Sequence, residues 1–134
     1  MNNKEKQKNT PPNIFIIGQC TLHWGRMEFG NIGNFYIMEP FLDELNRVFP
    51  NATIKTTFQM SSTFCKKHNI TCLPMELYYG WKSNDLDIAK EEHQIALEYQ
   101  KTQQLSKKTP YINEVINSDL IIDFSGDIWG DNAN

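Results

Sequence analysis

The stretch that decides the reading of the chain is NIFIIGQCTLHWGRMEFGNIGNF, residues 13 to 35. It opens on four consecutive apolar residues, Ile14-Phe15-Ile16-Ile17. A strand with no polar face is one buried on both sides, as in a parallel sheet. From Gln19 to Gly33 there follows a long glycine-bearing connection. Connections of this length without structure of their own are usually functional or disordered. The presence of His23, Trp24, Arg26 and Glu28 favours function. Near the other end, Asp119-Leu-Ile-Ile-Asp-Phe-Ser-Gly-Asp127 repeats the plan, an apolar strand running into a glycine turn. In open α/β sheets ligands bind beyond the carboxyl ends of the strands. The two loops are therefore expected to form one site.

Between these poles the pattern alternates. Phe35, Met38, Leu42, Leu45 and Phe49 recur at spacings of three and four, with Phe41 and Val48 widening the stripe. This is a core-facing helix over 34–49, ended by Pro50-Asn51. Pro40 lies inside it. Proline suits a first helical position and costs about 3 kcal/mol in an interior. Either the regular helix begins at Pro40, or it begins near Asn34, a suitable N-cap, and kinks; the stripe through Phe35 and Met38 favours the second. ATIKTTF at 52–58 is β-branched and reads as a strand. Residues 61–69 suggest a short helix capped by Ser61 or Ser62, and Ile70–Leu73 a short strand closed by Pro74. Residues 74–82 read as an aromatic loop. A long helix is expected over 84–105, with Asp85 and Asp87 in its first turn, where the dipole favours acids. Its sparse apolar content places it at the periphery. Pro110–Asn117 reads as another short helix, leading into a last strand at 119–124.

The totals bound the class. The 134 residues suit one domain. With 40% hydrophobic and 22% charged residues the chain is globular rather than disordered. The net charge of −3 and the lack of a basic run beyond the first eight positions argue against nucleic acid as a partner. Residues 1–12 are polar, end in Pro11-Pro12 and read as a disordered tail. That segment has no apolar core, so it is not a signal peptide. No run approaches about 18 apolar residues, so no membrane span is expected and the location expected is cytoplasmic. Cys20, Cys65 and Cys72 are odd in number and lack C-x-x-C spacing, which argues against a disulfide framework and a zinc site. His68 and His93 have no partner at metal spacing and are expected to be solvated. No metal site and no cofactor is expected.

Two motifs carry candidate chemistry. Gly30-Asn31-Ile32-Gly33-Asn34 stands at a helix start, where free N–H groups suit phosphate or carboxylate. It is neither G-x-G-x-x-G nor a Walker A loop, and a plain tight turn is the competing reading. Arg26 in the same loop is a bidentate clamp for an anion. The second motif, Asp123-Phe-Ser-Gly-Asp127-Ile-Trp-Gly-Asp131, fails as an EF-hand because Ile128 and Asn134 stand where Gly and Glu are required. Ser125 and Gly126 instead form a turn toward the site, and Trp129 is either a sugar platform or core packing.

Taken together, the Asn31, Gly33 and Asn34 turn and the Ser125, Gly126, Asp127, Trp129, Gly130 and Asp131 segment resemble the N-terminal half of the polysaccharide pyruvyl transferase family. The resemblance covers residues 13–134. It implies an α/β fold: a Rossmann-like, doubly wound, mostly parallel sheet forming one half of a GT-B-like two-domain architecture. It implies transfer of a pyruvyl group from phosphoenolpyruvate, as donor substrate, to a sugar hydroxyl of a polysaccharide or its precursor. The substrate-binding residues it points to are Arg26, Asn31, Gly33, Asn34, Ser125, Gly126 and Asp127. The family's usual Asp after the first-motif glycine is Asn34 here, which removes a charge. The family's second domain, thought to carry key catalytic and donor-binding residues, has no counterpart in these 134 residues. The chain is expected to be a fragment inactive alone, completed by a C-terminal domain or a second chain. The alternatives are a noncatalytic Rossmann-like sugar- or nucleotide-binding module and half of a GT-B glycosyltransferase using a nucleotide sugar.

Overall fold

A computed structural model describes residues 10–18, 32–74 and 83–124. Strand β1 (Asn13–Gly18) leads to helix α1 (Ile32–Val48), strand β2 (Thr53–Thr56), helix α2 (Ser62–Lys67) and strand β3 (Ile70–Cys72). Helices α3 (Asp85–Thr102) and α4 (Pro110–Ile116) then precede strand β4 (Leu120–Phe124). The four strands form one sheet in the order β3-β2-β1-β4, and every pairing is parallel. The expected α/β sheet is present, with all of its described strands parallel.

Topology puts the helices on two faces. The chain steps from β1 to β2 to β3 in one direction, then returns past β1 to place β4 on its other side. Crossovers between parallel strands are right-handed, so reversing the direction of travel moves the connecting helices to the opposite face. The packing follows this rule. Ile14, Ile16, Ile54 and Ile70 point to one face, where Met38, Leu42 and Leu45 of α1 and Phe64 of α2 cover them. Phe15 and Ile17 point to the other, against Tyr111 and Val115 of α4 and Leu73 beyond β3. The unbroken apolar run of β1 thus meets helices on both sides, with Ile14, Phe15 and Ile16 at most 1% exposed. Burying each such side chain contributes about 1.5–3 kcal/mol.

Helix α1 keeps the expected stripe: Met38, Leu42 and Leu45 are buried and Phe35, Phe41 and Phe49 pack beside them, while Val48 is exposed. It runs through Pro40 and begins at Ile32, two residues before the expected N-cap Asn34. Proline denies an N–H to the carbonyl of Tyr36. Both Pro40 and Tyr36 lie on the exposed side, where water can satisfy that carbonyl. Helix α2 is capped by Ser61, whose hydroxyl accepts from the Phe64 N–H at 3.1 Å. Thr109 caps α4 in the same way, and Pro110 takes its first position. Asn51 and Asn69 adopt positive φ before β2 and β3, which asparagine tolerates. Helix α3 is peripheral as expected, burying only Ile95 among its apolar residues, with Asp85 and Glu92.

Candidate functional site at the carboxyl ends of β1 and β4

The strand order places the reversal of the chain between β1 and β4. At such a switch point the two following connections leave in opposite directions and open a crevice beyond the strand ends. The register makes the neighbourhood specific. Ile17 pairs with Asp123 and Gly18 with Phe124, so both strands end level with each other. Gly18 has φ 141°, a value that a side chain disfavours. Gly18 and Phe124, the last described residues of the two strands, are therefore neighbours on the same edge.

The floor beneath this edge is aromatic. Phe124 packs against Phe41 at 5.1 Å between ring centroids and against Phe58 at 6.1 Å. Phe58, just beyond β2, is fully buried, and its N–H is held by the Thr56 hydroxyl at 3.1 Å. Phe35, near the start of α1, stacks edge-on against Phe64 of α2. Two helices and two strand ends are thus packed together under the edge by rings, which hold backbone geometry without placing charge there.

Of the expected binding residues, Arg26, Asn31, Ser125, Gly126 and Asp127 lie outside the described residues. Gly33 and Asn34 fall in the first turn of α1, on its backbone. His23, Trp129 and Asp131, the aromatic loop near 75–82 and residues 1–9 of the tail are likewise outside. What the structure brings together is the pair of strand ends from which the two loops depart.

Asp123 at the end of β4 did not figure among the expected binding residues. It is exposed, on the face of the sheet opposite Phe124. Burial pushes the Tyr111 phenol up, and the negative charges of Glu92 and Asp123 push it further. The alternation of Ile121, Asp123 against Ile122, Phe124 is the signal that could have revealed it.

His68 corrects an expectation: it is buried, not solvated, at 2% exposure. Its Nδ1 lies 3.0 Å from Asp43 Oδ1. Its Nε2 lies 3.3 Å from Glu39 Oε1, out of hydrogen-bond alignment. The Phe64 ring covers it at 4.4 Å, and its backbone carbonyl accepts from Asn46 Nδ2 at 2.7 Å. Glu39 also receives Lys67 Nζ at 2.5 Å, and that hydrogen bond holds its carboxyl below the ordinary range. The partners come from one face of α1, four residues apart and distant in sequence, so no local spacing announces them. This cluster clamps α2 to α1; enclosed as it is, His68 is not available to a ligand.

A polar cavity of about 330 Å³ lined by Asn51, Thr53, Asn69 and Thr71 opens at the opposite end of β2 and β3. It carries no charged side chain and lies at the amino ends of the strands, away from the switch point. Among the described residues no group of three or more His, Cys, Asp or Glu is placed to hold a metal ion, and no helix is long and apolar enough to cross a membrane. Comparison with known proteins finds no matching family model, no matching curated protein and no matching solved structure.

Proposed function

We propose that this chain is a Rossmann-like ligand-binding domain whose site lies beyond β1 and β4. Within that reading, it is the N-terminal half of a polysaccharide pyruvyl transferase-like enzyme. The observation that carries the proposal is the level ending of β1 and β4 at the reversal of the sheet. The sequence leaving β1 supplies Arg26 and the Asn31–Gly33–Asn34 turn, and the sequence leaving β4 supplies Ser125, Gly126 and Asp127.

The chemistry fits an anionic donor and a hydroxylated acceptor. Phosphoenolpyruvate needs cationic and N–H donors: Arg26 is a fork for carboxylate or phosphate, and the first turn of α1 offers unpaired N–H groups. An ionised Asp127 only accepts hydrogen bonds, so it suits sugar hydroxyls. A second domain, as in GT-B-like enzymes, would close the other wall and supply the remaining charges. In this proposal the chain alone binds but does not turn over.

The test is titration of the chain with phosphoenolpyruvate, followed by amide NMR. Saturable shifts at Gly18, Phe124 and the first turn of α1, lost in Arg26→Ala, are expected. No shift at these positions up to about 10 mM, the weak end of useful affinity, would refute the site. Ketal formation by the chain with a sugar acceptor would refute the half-enzyme part alone.

A second reading, a noncatalytic sugar- or nucleotide-binding module, is favoured by one observation. The described strand ends carry only Asp123 and Cys72 as ionisable side chains. Binding of a nucleotide sugar in place of phosphoenolpyruvate, with the same shifts, would support it or the related half of a GT-B glycosyltransferase.

A further inference from the structure

Cys65, in the last turn of α2, and Cys72, the last residue of β3, are both half-buried and in no disulfide, and their Sγ atoms lie 3.3 Å apart. Seven positions separate them, a spacing that matches no thiol motif, so the pairing arises from the fold. Helix α2 folds back over the sheet through Phe64, which packs into the core, and the turn at Asn69 reverses the chain into β3. Both cysteines border the same buried cluster. Cys65 Sγ also approaches the Met60 carbonyl at 4.0 Å, so two walls orient it. A disulfide needs sulfurs about 2.05 Å apart, so the pair must close by little more than about 1 Å.

We infer that Cys65 and Cys72 are a redox-active dithiol that closes reversibly to a disulfide on meeting a peroxide or a disulfide oxidant. With hydrogen peroxide, the thiolate of one cysteine attacks a peroxide oxygen, giving a sulfenic acid and releasing water after protonation. The second thiol attacks that sulfur, its proton leaves with the sulfenic oxygen as a second water, and the S–S bond forms. Two thiols are oxidised by two electrons and one peroxide is reduced to two waters. With a disulfide oxidant such as oxidised glutathione, exchange through a mixed disulfide yields two molecules of reduced glutathione. The bond would pin α2 to β3, and with them Phe64 against Phe35 near the head of α1. This inference does not rest on the proposed function.

The experiment uses Cys20→Ser, which leaves only this pair. The folded protein is equilibrated with glutathione buffers, quenched with acid, and measured by intact mass and thiol count. The expected product is lighter by about 2 Da, has lost both thiols and reverts with dithiothreitol. Trypsin cuts after Lys66 and Lys67, which separates the two cysteines. A non-reducing digest should therefore show one linked species, and dithiothreitol should resolve it. The same equilibrium in urea sets the reference. The effective thiol concentration should be at least about tenfold higher folded than unfolded, because a bond that fits the native state is favoured by it. An equal or lower ratio, or oxidation giving only sulfinic acid or glutathione adducts on unlinked peptides, overturns the inference. The natural chain, mapped in the same way, should give the same linked peptides; a Cys20 linkage in their place also overturns it.

Discussion

The level ending of β1 and β4 can be tested through Phe124. In the observed register Phe124 faces α1, against Phe41 and Phe58. A slip of one residue would turn it to the other face, toward Tyr111, because successive strand residues alternate. Truncating a buried Phe to Ala costs about 3–5 kcal/mol. Phe124 is only partly buried, so about 2–3 kcal/mol is expected. Aromatic pairs at such distances contribute about 0.5–1.5 kcal/mol beyond area. A double-mutant cycle of Phe41→Ala and Phe124→Ala, read by urea denaturation under circular dichroism, should give a coupling near 1 kcal/mol. The cycle of Phe124→Ala with Tyr111→Ala should be additive to within about 0.5 kcal/mol. If Tyr111 carries the coupling and Phe41 does not, β4 is paired otherwise and the two candidate loops do not start side by side.

Three further outcomes are expected. Leu42→Ala, at a residue 1% exposed, should cost about 2–5 kcal/mol, whereas Val48→Ala on the exposed side of the same helix should cost under about 0.5 kcal/mol; similar losses would mean that α1 is rotated. Glu39→Gln should destabilise the fold near neutral pH. Its carboxyl is held below its ordinary value of 4.5, chiefly by the hydrogen bond from Lys67. The contribution of the carboxylate is thus present above that value and lost as pH falls through the lower folded one. Lys67, His68 and Asp43 face the same group, so the comparison is the wild-type minus Glu39→Gln difference in urea midpoint from pH 6 to 3; a difference that grows toward acid would contradict the assignment. Spectrophotometric titration should show a late-ionising component that Tyr111→Phe removes, since burial and the charges of Glu92 and Asp123 raise its phenol.

Local pattern carried the elements well. The four apolar residues of β1, the stripe from Phe35 to Phe49 and the β-branched run before Phe58 each state their own environment, and the strands and helices fall within a few residues of where these patterns put them. The strand order is a different kind of fact. Nothing local in Leu120–Phe124 says that it joins the side of β1 away from β2, because that follows from handedness and from which helix faces remain unfilled. His68 shows the same limit. Glu39 and Asp43 reach it from another helix, and an isolated histidine in a polar segment reads as solvated until α2 folds back. The thiol pair was hidden for the same reason. In the candidate site, the strand ends were legible from their apolar runs. The loop chemistry of Arg26, Asn31 and Ser125–Asp127 was legible only as residue types suited to anions and hydroxyls.

The unequal packing of the two faces bears on how the domain loosens. One face joins Ile14, Ile16, Met38, Leu42, Leu45, Ile54 and Phe58 in a continuous core; on the other, among the described residues, the cluster against the sheet is smaller, with Phe15 and Leu73 buried and Ile17, Tyr111 and Val115 partly buried beside them. The connection into α4 is tied back to α3 by Lys107 to Glu91 at 2.6 Å, and the α4 N-cap by the Thr109 hydroxyl to Glu92. Their attachment to the sheet includes Tyr111, Val115 and the Lys55–Glu114 pair at 2.7 Å. A partly exposed ion pair adds at most about 1 kcal/mol. Amide exchange should therefore divide into two tiers: α3 and α4 open together as a low-energy unit while β1, α1 and β2 exchange only on global unfolding. The helical pair that returns the chain to β4 is then the hinged part of the molecule, and the first face is its permanent frame.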